Sequence, residues 1–159
     1  MLKESVYKKL EISDLNEASE LVWRVFNEFV APKYLDEGIE VFRKFIDVEQ
    51  LTNNVNAGNI EMYGCLFHDK IIGTIALKKP NHICLFFVDK QYHGQGIAKH
   101  LFGLVKDNVN QHFGNEYYIT VNSSPYAVEM YKHLGFKAFG EEQVKDGIRF
   151  TPMRYDNQN

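Results

Sequence analysis

The run H-I-C-L-F-F-V-D-K-Q-Y-H-G-Q-G-I-A-K-H-L, residues 82–101, decides the fold of this chain. Its first part, residues 82–88, is an almost unbroken apolar run rich in strand-forming residues, which predicts a central strand buried on both faces. From Ile97 onward, apolar residues recur at helical spacing, and Gly94 and Gly96 stand where strand gives way to helix. Glycine lets a ligand approach the backbone, and the free N–H groups at a helix start attract anions. The run therefore predicts a phosphate-binding turn.

Composition places the chain among ordinary globular proteins. Its 159 residues are 45% apolar and 25% charged, which fits a single domain over residues 1–159. The net charge is −3 and there is no basic run, so we expect no nucleic-acid partner. No apolar stretch is long enough to span a bilayer, and the N-terminal residues lack a signal-peptide core. We therefore expect a cytoplasmic protein with no membrane partner.

The two cysteines, Cys65 and Cys84, both lie in apolar runs typical of strands. No CxxC pair and no cysteine–histidine cluster accompanies them, so the sequence favours reduced core thiols over a disulfide or a zinc site. We expect no metal.

The hydrophobic pattern predicts the order β-α-α-β-β-β-α-β-α-β-β. Helices are expected from Leu15 to Phe29, after Ile97 and after Ser124. A further helix, with its inward residues between 39 and 46, is expected to continue until the turn-rich segment over residues 53–59 ends it. Strands are expected over residues 6–12, 60–68, 71–79, 82–88, 117–121, 138–145 and 148–155. The second to fourth strands follow one another through short turns, which predicts an antiparallel meander. Only the fourth and fifth strands have to run parallel, because a helix connects them, and a flat ligand would fit where they splay apart.

Local sequence signals predict helix caps and a turn in the C-terminal part of the chain. Ser124 and Pro125 suit the start of a helix, and Gly135 suits its left-handed C-terminal cap. A Schellman cap there would pack Phe136 against Tyr131. A tight hairpin turn is expected at residues 146–147, which are Asp-Gly.

This element order and two sequence blocks resemble the GNAT superfamily of N-acetyltransferases over nearly the whole chain. The family's pyrophosphate-binding signature is Arg or Gln, two residues, Gly, one residue, then Gly or Ala. It falls here on H-G-Q-G-I-A, in which His93 replaces the usual Arg or Gln. The block S-P-Y-A-V-E-M-Y-K-H-L-G-F is similar to the family's fourth helix, with Ser124 in place of the usual Asn.

The resemblance implies an α/β (α+β) fold with a mixed, mostly antiparallel sheet of six to seven strands and about four helices. It also implies acetyl-CoA as acetyl donor and direct transfer, in a ternary complex, to a primary amine of a small molecule or peptide. Dimerisation is common in the family, so a homodimer is possible.

The resemblance implies which residues bind the cofactor, because they occupy the matching positions of the family's motifs. Backbone N–H groups of the signature residues should hold the pyrophosphate, and the strand before them should pair with the pantetheine arm, with the N–H of Val88 on the thioester carbonyl. Ser124 is a further expected cofactor contact. The expected set is Phe86, Phe87, Val88, His93, Gly94, Gln95, Gly96, Ile97, Ala98 and Ser124.

Two residues are candidates for proton transfer. Tyr131 takes the family position of the acid that protonates the leaving thiolate, and a phenol keeps its proton at neutral pH. His82 lies on the strand where protein-acetylating relatives carry a glutamate base, and an imidazole titrates near neutral pH. His82 is equally consistent with a solvated residue beside a turn.

The sequence gives weaker signals for the residues that bind the acceptor amine. The loop between the first two helices walls the acceptor site in this family, which makes Glu28 and Tyr34 candidate substrate-binding residues, with Asp36, Glu37 and Tyr126 nearby. Aromatic residues in this region suggest a partly apolar pocket, with modest acidic character.

Two other functional classes share some of these sequence features. A Rossmann-type nucleotide binder is disfavoured, because three antiparallel strands precede the glycine turn and no acidic residue ends the following strand. A non-catalytic acyl-CoA-binding sensor or regulatory module stays open as the alternative to an enzyme.

Overall fold

The computed structural model describes residues 3–157, which form five α-helices and eight strands. The helices are α1 (Leu15–Phe29), α2 (Asp36–Ile46), α3 (Val48–Asn56), α4 (Ile97–Phe113) and α5 (Val128–His133). The strands are β1 (Ser5–Lys9), β2 (Ile60–Phe67), β3 (Lys70–Lys78), β4 (His82–Val88), β5 (Tyr117–Ser123), β6 (Lys137–Ala138), β7 (Gln143–Lys145) and β8 (Ile148–Asn157).

The strands form one sheet in the order β1-β2-β3-β4-β5-β8-β6, with β7 paired to β8. Strands β2, β3 and β4 are the expected antiparallel meander. Within the described residues β4 and β5 are the parallel pair, and every other pairing is antiparallel. The predicted mixed, mostly antiparallel fold is confirmed, with more strands and helices than expected.

Helices cover both faces of the sheet, so β4 is buried on both sides as predicted. Ile83, Phe86 and Val88 belong to the core beneath α4 and α5. Leu85 and Phe87 point the other way, toward the core formed with α1, α2 and α3. Cys84 is left without a partner in the β3 register, so β4 is irregular at this point.

The extra elements arise from local breaks that the periodicity does not show. Asp47 separates α2 from α3, because its extended backbone ends one helix while its carboxylate accepts a hydrogen bond from the N–H of Glu49, 3.2 Å away. The turn expected from Asn53 is instead the last turn of α3, and the chain reverses at Gly58. The long strand expected over residues 138–145 is two short strands, β6 and β7.

The predicted caps and turns are present. The N–H of Phe136 donates to the carbonyl of Tyr131 at 3.0 Å, and that of Gly135 donates to Lys132 at 3.0 Å, which is the Schellman pattern. The Phe136 ring packs against Tyr131 with centroids 5.2 Å apart. Asp146 and Gly147 both have positive φ, as the hairpin turn requires.

This hairpin turn is pressed against the start of α2. The N–H of Leu35 donates to the carbonyl of Gly147 at 3.1 Å, and a Cβ placed on Gly38 would lie 2.2 Å from that oxygen. Only a residue without a side chain fits there. The contact fixes α2, and with it one wall of the site described next.

Candidate active site

The site begins where β4 and β5 separate. The two strands pair only at His82 with Thr120 and at Ile83 with Val121. Beyond this point they diverge, and a cleft of about 710 Å³ opens between them. Because the opening passes through the sheet, side chains from both faces line it. The predicted splay is therefore present.

The free side of β4 offers backbone groups to the cleft. The N–H of Asp89 donates to the carbonyl of Ile72 on β3 at 2.8 Å. Successive residues of a strand turn their backbone groups to opposite sides, so those of Val88 and Phe86 face the cleft. The backbone of Phe87 faces β3 instead, and Phe87 lines the cleft with its ring.

The glycine turn forms the other end of the cleft. Gly94 and Gly96 have φ of 79° and 81°, and a Cβ on either would meet no atom within 4 Å, so the space above them is open. The first hydrogen bond of α4 runs from the N–H of His100 to the carbonyl of Gly96. The N–H groups of Ile97, Ala98 and Lys99 therefore have no partner within the helix, and all three residues line the cleft. Such a helix start favours an anion.

Three side-chain contacts hold this turn in place. Nε2 of His93 lies 2.9 Å from the carbonyl oxygen of Val88, which joins the turn to the end of β4. The carboxylate of Asp89 accepts from the N–H of Gln91 and pairs with Arg24 of α1 at 2.7 Å. The glycine turn is thereby fixed both to the sheet and to α1.

Tyr131 reaches the cleft from α5 with its hydroxyl group. The residue is only 4% exposed, and the hydroxyl has no hydrogen-bond partner among the described residues. Within residues 3–157, every fully buried side-chain nitrogen or oxygen atom has a hydrogen-bond partner. The Tyr131 hydroxyl has none, so its oxygen is not fully buried and contributes to the exposed area of the residue. Phe86 and Phe136 pack edge-on against its ring and fix its direction. Burial raises the pKa of the phenol, which stays protonated at neutral pH.

Two other ionisable groups line the cleft near Tyr131. Burial raises the pKa of the Cys84 thiol to about 12 and that of the Tyr34 phenol to about 12. Both groups lie close enough to Tyr131 that their ionised forms would raise its pKa further. This part of the cleft is therefore lined by protonated, uncharged groups.

His82 lies at the closed end, where β4 and β5 are still paired, and it does not line the cleft. Its Nδ1 is 2.8 Å from Oγ1 of Thr120, which leaves Nε2 as the free nitrogen. Burial and the positive charge of Lys78 both lower its pKa, so the ring is neutral at neutral pH.

The structure separates the two expected acceptor residues. Tyr34 lines the cleft, but Glu28 does not. Glu28 is exposed on α1, with its carboxylate 4.0 Å from Nζ of Lys90. Tyr126 lines the cleft, and its ring is stacked on that of Phe29 with centroids 4.8 Å apart, which links α1 to the loop before α5.

Several lining residues were not singled out from the sequence. They include Cys84 and Asn122 on the two diverging strands and Lys99 in the first turn of α4. Lys99 follows the glycine signature directly, so its place at a helix start was a usable signal. Cys84 faces the cleft through the irregularity of β4, which strict alternation does not reveal. Ser124 lines the cleft, and its hydroxyl makes no capping bond.

Two further features bear on the kind of site. Over residues 3–157, no helix has the length and apolar character needed to cross a membrane. In the same part of the chain, no three His, Cys, Asp or Glu side chains are grouped so as to hold a metal ion.

Comparison with known proteins shows the family to which this chain belongs. The family model for the acetyltransferase (GNAT) domain matches residues 30–157. This chain therefore belongs to the GNAT acetyltransferase family, as the two sequence blocks predicted. A search of curated protein sequences finds no significant match.

Solved structures share the fold. A GCN5-related N-acetyltransferase from Rhodopseudomonas palustris has a TM-score of 0.80 at 17% identity, covering 98% of each chain. PaiA N-acetyltransferase from Thermoplasma acidophilum, solved with coenzyme A, has a TM-score of 0.75 at 22% identity, covering 96% of this chain and 98% of that one. An aminoglycoside 6'-N-acetyltransferase, also solved with coenzyme A, has a TM-score of 0.69 at 11% identity, covering 97% and 98%.

Proposed function

We propose that this protein is an acetyl-CoA-dependent N-acetyltransferase that acetylates a primary amine of a small molecule or peptide by direct transfer. The observation that carries the proposal is the separation of β4 from β5 beside the glycine-capped start of α4. It supplies a strand edge for an extended arm and a helix start for a pyrophosphate in one continuous cleft.

The residues fit an acyl-CoA. N–H groups of the turn, from Gly94 to Ala98, would hold the pyrophosphate, with Lys99 adding a positive charge. The N–H of His93, expected from the sequence to join them, instead donates to the carbonyl of Lys90 at 3.1 Å. Backbone groups of Phe86 and Val88 would pair with the pantetheine arm, and the ring of Phe87 would pack beside it. Ser124, across the cleft, would offer its uncapped hydroxyl to the same ligand.

The bound thioester supplies an acyl carbon whose C–S bond breaks as the C–N bond to the amine forms, so the amine loses one proton and the thiolate gains one. The N–H of Val88 would polarise the carbonyl oxygen. The hydroxyl of Tyr131 would give the proton to the thiolate. His82, through Nε2 and an intervening water, would take the proton from the amine. Direct transfer needs no acetyl-cysteine, and the raised pKa of Cys84 argues against a thiolate nucleophile.

The test is coenzyme A release from acetyl-CoA across a panel of amines, together with calorimetric titration of coenzyme A. We expect coenzyme A to bind and at least one amine to be acetylated, with the product confirmed by mass spectrometry. Binding without acetylation of any amine would instead support the non-catalytic acyl-CoA sensor. Absence of binding would overturn both functions.

A further inference from the structure

The acceptor end of the cleft is almost wholly aromatic and aliphatic. Phe26, Tyr34, Phe42 and Phe87, which we call the aromatic wall, line it from α1, α2, β4 and the loop after α1. Their rings pack on one another, with centroids 3.9 Å apart for Phe26 and Phe42 and 5.4 Å for Phe26 and Tyr34. The near-parallel stacking of Phe26 on Phe42 leaves no room for a cation between those two faces.

The modest acidic character expected from the sequence is absent, because no carboxylate lines the cleft in the part of the chain that the structure describes. Glu28 is turned outward toward Lys90, and neither Asp36 nor Glu37, both exposed in the first turn of α2, reaches the lining. The charged side chain that does line the cleft, Lys99, is a cation. A second positive charge on an acceptor would therefore be buried without a partner, which is costly.

The uncharged surroundings also assist the reaction. An amine must lose its proton before it can attack the thioester, and an apolar environment disfavours the ammonium form. The neutral phenols of Tyr34 and Tyr131 and the neutral thiol of Cys84 add no negative charge that would hold the amine protonated.

We propose that the acceptor is a small primary amine that carries one apolar or aromatic substituent and no second charged group. The substituent would lie against the aromatic wall, with the amine directed toward β4 and the hydroxyl of Tyr131. This proposal rests on the proposed acetyltransferase function and narrows its substrate class.

The sharpest test compares two amines that differ only in a distant charge, hexylamine and 1,6-diaminohexane, with the unmodified protein. Because the second ammonium finds no carboxylate, we expect kcat/KM for hexylamine to exceed that for the diamine by about tenfold or more. 2-Phenylethylamine should behave as hexylamine does. Equal or better acetylation of the diamine, or of the free N-terminus of an uncharged tetrapeptide, would overturn the substrate class.

Two variants test whether the preference for apolar amines depends on the aromatic wall. Phe42→Ala removes one ring of the aromatic wall and should lower kcat/KM for hexylamine about tenfold, while coenzyme A affinity stays unchanged. Phe139→Ala is the matched control, because that ring is 60% exposed and lies outside the cleft lining. Unchanged kcat/KM in folded Phe42→Ala would contradict the role of the aromatic wall.

Failure of this proposal is distinguishable from failure of the proposed function. If amines with two charges or peptides are acetylated and apolar amines are not, only the substrate class is wrong. If no amine is acetylated although coenzyme A binds, the acetyltransferase function itself fails.

Discussion

Nε2 of His93 and the carbonyl oxygen of Val88 lie 2.9 Å apart, so the residue that departs from the family signature is bonded to the end of the strand that precedes it. The usual Arg or Gln has been replaced by a side chain that holds the glycine turn to β4. We therefore expect His93 to affect ligand binding through the position of the turn.

Removing this ring should loosen the turn. A hydrogen bond of this kind contributes about 1 kcal/mol, so we expect His93→Ala to weaken coenzyme A binding about fivefold in calorimetric titration. His112→Ala is the control, because its imidazole makes a similar bond to the carbonyl of Asn108, at 3.0 Å, near the far end of α4. Equal affinities for His93→Ala and the unmodified protein would show that the bond does not position the site.

Tyr131→Phe tests the proposed acid. It removes only a hydroxyl that has no partner among residues 3–157, so stability and coenzyme A affinity should hold while kcat falls by about a hundredfold. Because burial raises the pKa of this phenol, its loss of a proton should not limit the rate up to at least about pH 10, its ordinary value. The control is Tyr155→Phe, whose hydroxyl contacts Asn157 outside the cleft. An unaltered kcat would remove Tyr131 from the mechanism.

The proposed role of His82 as the base predicts how kcat depends on pH. Burial and Lys78 lower its pKa, so the neutral ring should persist below about pH 6.5, its ordinary value, and the acidic fall in kcat should lie under that pH. His82→Ala should abolish this acidic limb and slow turnover about tenfold or more, measured with acetyl-CoA saturating. His68→Ala, at an exposed imidazole, serves as control. An acidic limb that stays in place in His82→Ala would assign the base to another group.

Gly38 tests how α2 is held. The methyl group of Gly38→Ala would meet the carbonyl oxygen of Gly147, so the hairpin turn and α2 must move apart. Such overpacking costs about 1–3 kcal/mol, and we expect Tm to fall by about 2–10 °C.

Gly103→Ala is the matched control within α4, because a Cβ there meets nothing within 4 Å and alanine favours a helix. Its Tm should be equal or higher. Equal Tm values for Gly38→Ala and the unmodified protein would show that the turn yields without cost.

Features of this structure that depend on a few adjacent residues could be predicted from the sequence. The buried strand, the glycine turn at Gly96 and the Schellman cap at Gly135 each depend on a few adjacent residues. The break at Asp47 was missed, because apolar spacing continues across it and only its cap geometry ends α2.

The composition of the site was harder to predict, because contacts distant in sequence determine it. The sequence places Glu28 beside the acceptor loop, but the structure turns it outward toward Lys90. The grouping of Tyr34 and Cys84 near Tyr131 joins a loop, an irregular strand and a short helix, and no local pattern encodes it.

The parting of β4 from β5 also has a consequence for handling the protein. Phe86 and Val88 present backbone groups with no neighbouring strand in the described chain, and unpaired strand edges readily pair with another extended chain. A ligand seated in the cleft would cover this edge and add about 2.7 kcal/mol of stability at a hundred times its Kd. The ligand-free protein should thus be the form that aggregates first, and coenzyme A should keep concentrated samples monodisperse.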